Sequence, residues 1–104
     1  MAIPKSTAPI VNNVSAFAQL ALDPGSIAAN TNLDVDVNAP RNFKAGRPVL
    51  VQLKDGETEL TTGLSLDGAR CLYVSGTKKL RVRFSNNSAG AIDEASKTYQ
   101  FFQL

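Results

Sequence analysis

The sequence has no histidine and no tryptophan, a single cysteine, and no apolar run near the ~20 residues a bilayer-spanning helix needs. Each absence removes a class of function. Without histidine there is no Ser-His-Asp or Cys-His catalysis, and nearly every zinc site is gone. A lone Cys71 cannot close an intramolecular disulfide, so this is not a disulfide-stapled scaffold. It reads instead as a small core residue, flanked by Ala69, Leu72 and Tyr73. A net charge of +2 is too small to make nucleic acid or an anionic membrane the main partner. The start of the chain, MAIPKSTAP, has no apolar stretch behind Lys5, so it does not read as a signal peptide. Synthesis and assembly in a cytoplasm are expected.

What remains is ordinary globular material, 43% hydrophobic and 19% charged, in 104 residues, enough for one domain. A domain of this size buries roughly two-thirds of its unfolded surface, which leaves a thin core. Two acidic patterns deserve a test. Asp34, Asp36 and Asn38 match the first half of a calcium loop, but Ala39 stands where glycine is needed and Ala45 where glutamate is needed. They read as a solvated strand face. Glu57 and Glu59 have no partner acid and read as surface charge. No enzyme, metal or cofactor is expected.

From about residue 30 the apolar pattern has a period of two. Leu33, Val35 and Val37 alternate with Asp34 and Asp36, which predicts a strand with one buried face. Val49, Val51 and Leu53 form another row, and Leu50 on the opposite face predicts a strand covered on both sides. Asp55-Gly56 predicts a tight hairpin, with 57–62 returning antiparallel. A short edge strand over 64–66, closed by Asp67-Gly68, comes next. Strands 70–74 and 80–84 follow, joined at Ser75-Gly76, with Leu80, Val82 and Phe84 inward and Arg81 and Arg83 outward. After a loop over 86–90, residues 98–104 predict a strand apolar on both faces. Pro4 and Pro9 resist regular structure near the start, whereas 17–22 reads as a first strand ending at Pro24-Gly25. The expected architecture is all-β: an antiparallel, jelly-roll-like β-sandwich over residues 17–104, preceded by an extended arm over 1–16.

Three phrases carry a resemblance. They are LDPGSIAANTNLDVDV at 22–37, ARCLYVSG at 69–76, and LRVRFSN at 80–86 followed by SAGAID at 88–93. Together with the closing apolar strand they resemble a small β-domain of tailed-bacteriophage structural proteins, over about residues 17–104. The chain departs from that pattern at Ala39-Pro40 and Gly46-Arg47-Pro48, where Pro48 removes a backbone donor and an irregular strand start is expected. The resemblance implies a non-enzymatic virion protein, similar to the capsid cement or decoration proteins. It implies the major capsid protein as partner, a dimer or trimer as the working form, and a place on the capsid surface after assembly in the host cytoplasm.

Candidate contact residues are Ile3, Pro4, Ile10, Val11 and Val14 in the arm, Arg81 and Arg83 on their strand, and Phe102 and Leu104 at the end of the chain. The basic run Lys78, Lys79, Arg81 and Arg83 reads first as outward charge that blunts a strand edge, then as a contact for an acidic protein surface. It lacks the stacking aromatics of a nucleic-acid site. Two other readings remain open. One is a head-fibre base, tail or baseplate subunit. The other is a free adaptor or carbohydrate-binding module, disfavoured because Tyr73 and Tyr99 are the only tyrosines and no tryptophan offers a platform.

Overall fold

The computed structural model describes residues 14–104; the arm positions Ile3, Pro4, Ile10 and Val11 lie outside the described residues. Eight strands follow one another: β1 (Ala16–Leu22), β2 (Gly25–Ile27), β3 (Thr31–Asn38), β4 (Pro48–Leu53), β5 (Leu64–Val74), β6 (Thr77–Asn86), β7 (Ile92–Glu94) and β8 (Lys97–Gln103). Six form one sheet in the order β1-β8-β4-β5-β6-β3, and β2 pairs with β7 in a separate ribbon. Every pairing is antiparallel. The large sheet curls into a half-barrel, and no helix occurs among the described residues. The all-β antiparallel class is as expected, with two sheets of very unequal size.

Period-two patterning explains which face is wet. On β6, Leu80, Val82 and Phe84 are fully buried, and on β8 so are Tyr99 and Phe101. Ile27, Ile92 and Phe43, from the ribbon and from the loop before β4, join the same core. Burying each side chain of this size contributes ~1.5–3 kcal/mol against the unfolded chain. Cys71 lies in that core as expected, and burial pushes its thiol pKa up although Lys78 pulls the other way.

Buried polar side chains anchor the loops. The Asn86 amide donates to the carbonyls of Ile27 (2.9 Å) and Gly90 (3.0 Å), and its oxygen accepts from the Ser88 backbone N–H at 2.9 Å. Gln103 does the same at the far side: its oxygen accepts from Lys44 N–H at 2.6 Å and its amide donates to Lys44 C=O at 2.8 Å. Glu94 accepts from Thr61 N–H at 3.1 Å and pairs with Lys97 at 2.8 Å. Burial opposes the Glu94 charge, but the hydrogen bonds from Lys97 and Thr61 outweigh it and hold its pKa below the usual carboxylate value.

Several expectations are corrected. No strand returns over 57–62; Gly56 takes positive φ, Asp55 does not, and a Glu57 N–H to Lys54 C=O bond of 3.1 Å closes the turn. An I′ hairpin needs both central residues at positive φ, so the chain leaves β4 without one. Glu57 is not idle surface charge, since it accepts a hydrogen bond from Thr98 N–H at 2.5 Å. Residues 64–66 pair with β6 alone, as an edge segment does, but they are not a short strand of their own: they begin the longer β5, and Asp67-Gly68 is a β-bulge within it rather than a turn. Two residues there oppose one on β6, with Gly68 at φ 122°. Pro48 is the first residue of β4, where a missing donor is tolerated, and it pairs with Arg70 without disorder of the register.

Candidate protein-binding surfaces

The outward faces of the half-barrel fall into two flanks. On the β6–β3 flank, four cross-strand pairs stand in a row: Asn32 with Ser85, Asp34 with Arg83, Asp36 with Arg81 and Asn38 with Lys79. Each pair is hydrogen-bonded. Ser85 Oγ lies 2.7 Å from Asn32, and Lys79 Nζ lies 2.6 Å from Asn38. The two arginines clasp their aspartates through two bonds each, 2.7 and 3.0 Å for Arg81–Asp36 and 2.9 and 3.3 Å for Arg83–Asp34. Such forked pairs fix orientation as well as charge. The arginine hydrogen bonds hold both aspartate pKa values below the usual carboxylate range and raise those of Arg81 and Arg83.

The basic run is therefore not a free patch, and it does not guard an edge. β6 lies between β5 and β3, so the edge is β3. Lys78 turns the other way and donates to the carbonyls of Phe43 (2.5 Å) and Arg41 (3.0 Å), tying down the loop before β4. Arg70 is opposite Arg81 and has no salt bridge among the described residues. With Asp67, Gly68 and the two paired arginines it lines a shallow hollow of ≈ 250 Å³ beside the bulge.

The β1–β8–β4 flank is of opposite character. Phe17, Phe102 and Leu50 stand in register across the three strands, forming one apolar row. Phe17 and Phe102 touch with ring centroids 5.1 Å apart, yet Phe17 remains 50% exposed and Leu50 58%. The next row is Gln19, Gln100 and Gln52, where Gln52 donates to Gln100 at 2.9 Å. Neither row contains a charge. Val14 and Leu104, both exposed, lie just past the end where Ala16 pairs with Gln103.

Phe102 and Leu104 were legible as the second apolar face of β8, and the structure places Phe102 at the centre of the exposed row. Phe17 and Leu50 were missed. Leu50 was expected to be covered, but among the described residues no second layer lies over β4, and it is exposed. The signal was present in both strands: an apolar residue at the odd position of an otherwise half-buried alternation. Arg81 and Arg83 stand on the other flank, so the candidates do not form one site. No group of three His, Cys, Asp or Glu side chains among the described residues is placed to hold a metal. No protein-family model, curated protein or solved structure matches the chain.

Proposed function

We propose that this chain is a non-enzymatic structural protein of a tailed-phage particle, a cement or decoration protein that binds the major capsid protein on the capsid surface and works as a dimer or trimer. One observation supports a docking role above the others: the uncharged outer flank with Phe17, Phe102 and Leu50 in a row, two of them at least half exposed on a small domain. A rigid, curled sheet presents that row at fixed spacing. A subunit that binds the assembled shell better than loose capsid protein stabilises the shell by mass action. In this reading the arm that crosses a neighbour lies before Ser15, because Ser15 and Ala16 already bond or pair with Gln103 in the sheet, and it leads into a jelly-roll-like body. The resemblance supplies the phage assignment, and the flank supplies the contact.

Quantitative peptide mass spectrometry on gradient-purified particles tests it. Copy numbers near those of the major capsid protein are expected, together with release of the protein when Phe102 and Leu50 are both replaced by lysine. Absence from every particle fraction would overturn the reading, and a handful of copies would move the protein to a tail, baseplate or fibre position.

A further inference from the structure

We propose that two copies of this chain join edge to edge through β1, extending the six-stranded sheet across a twofold axis. This sharpens the oligomer half of the functional reading and does not depend on its capsid half. A strand at the edge of a sheet turns every second N–H and C=O away from its neighbour, a template for pairing with another chain. The sheet has two such edges, β1 and β3. Natural sheets blunt exposed edges with charge, proline, bulges or shortness. β3 carries Asp34 and Asp36, and pairing β3 with itself about Val35 would set these two carboxylates opposite one another.

β1 has none of these defences. Its sequence AFAQLAL contains no charge, proline or glycine, and all seven residues keep regular register with β8. Among the described residues, nothing pairs with its other side. Self-pairing about Gln19 sets Gln19 against Gln19 of the second copy and Phe17 against its Ala21, a large side chain beside a small one. No register of the strand against itself opposes like charges. The axis is isologous, so the same edge serves both copies and the assembly closes at two. The half-exposed Phe17 lies at the outer end of the apolar row and gains cover from the second copy.

Sedimentation equilibrium of the full chain, alone in buffer, is expected to give the mass of two chains. Gln19 is outward and exposed, so Gln19→Lys leaves the body folded, as a circular dichroism spectrum checks. It brings two ammonium groups together at the axis and should weaken the dimer by roughly tenfold or more. Gln52→Lys, on the same face but two strands inward, should leave it intact. Gln19→Cys should give a disulfide-linked pair on oxidation, while the parent chain, with Cys71 buried, gives none. A monomer at every concentration, a trimer, or a dimer indifferent to Gln19→Lys would overturn the proposal. Because no capsid is present, such a failure would leave the capsid reading untouched.

Discussion

The two outer flanks are built from the same antiparallel geometry and solve opposite problems. On β3–β6 each outward side chain is matched by a hydrogen-bonded partner directly across the ladder, so the surface is polar and satisfied within itself. On β1–β8–β4 the outward rows are aromatic, aliphatic and amide, and only part of that surface is covered. Cross-strand pairing decides the contrast. Opposite charges in register consume their own binding capacity, whereas apolar residues in register add theirs together.

Both flanks rest on one core, and the largest expected effect tests that. Phe84 lies under the charged flank and Phe101 under the apolar one. Phe84→Ala and Phe101→Ala should each cost ~3–5 kcal/mol in urea unfolding, within a single transition. Two separable transitions would show that the flanks are independent units. Next come the buried amides, one on each side. Asn86→Ala and Gln103→Ala should each lose roughly 2 kcal/mol, because each leaves buried backbone groups unpaired. A negligible loss at Gln103 would mean that the loop before β4 is not held from the apolar flank.

A smaller effect of opposite sign is expected at Tyr99. Its ring is fully buried edge-on to Phe84, and its hydroxyl has no hydrogen-bond partner among the described residues. Burial, with Glu94 and Glu57 nearby, pushes its pKa up to about 12. Tyr99→Phe should leave stability unchanged or raise it by up to about 1 kcal/mol, and a clear loss would reveal an acceptor for that hydroxyl.

The smallest effect separates the flanks by pH. Asp34 and Asp36 have folded pKa values below their unfolded ones, so their contribution is fully present above the unfolded carboxylate value near 3.8. It is lost as pH falls through the lower folded values. The parent chain should therefore lose stability below about pH 4 more steeply than the Asp34→Asn, Asp36→Asn double variant. Glu94, also depressed, keeps a residual slope in both. Equal slopes would remove the charged ladder from the account of stability.

How far the sequence disclosed this depends on the length of each pattern. The alternations in β3 and β6 are long, and both strands and their wet faces follow from them. Arg81 and Arg83 were correctly placed outward, but their aspartate partners needed the β3–β6 register, which no local pattern encodes. β2 and β7 have three residues each, too short for a period to show. Asp67-Gly68 has turn composition, and the same glycine freedom serves a bulge, so the two are indistinguishable until the partner strand is known. Asn86 reads as the start of a loop and Gln103 only as a member of the last strand, because a buried amide is recognisable only from the carbonyls around it. Leu50 illustrates the same limit: an apolar residue on the second face of a strand shows that cover is wanted, not that it is supplied.

The pairing of β1 with β8 also sets the order of events during synthesis. Ala16 finds its partner in Gln103, 87 positions further along, so the first of the described strands is completed by the last of them. At about 5–20 residues per second the ribosome needs roughly 4–17 s to supply that partner. Throughout that interval an uncharged, unpaired strand waits in the company of other nascent chains on the same message. Long-range closure of this kind is slow to form, and early release or truncation near residue 97 would strand β1 permanently. The same sequence that suits β1 to a partner thus leaves it open to other chains during those seconds.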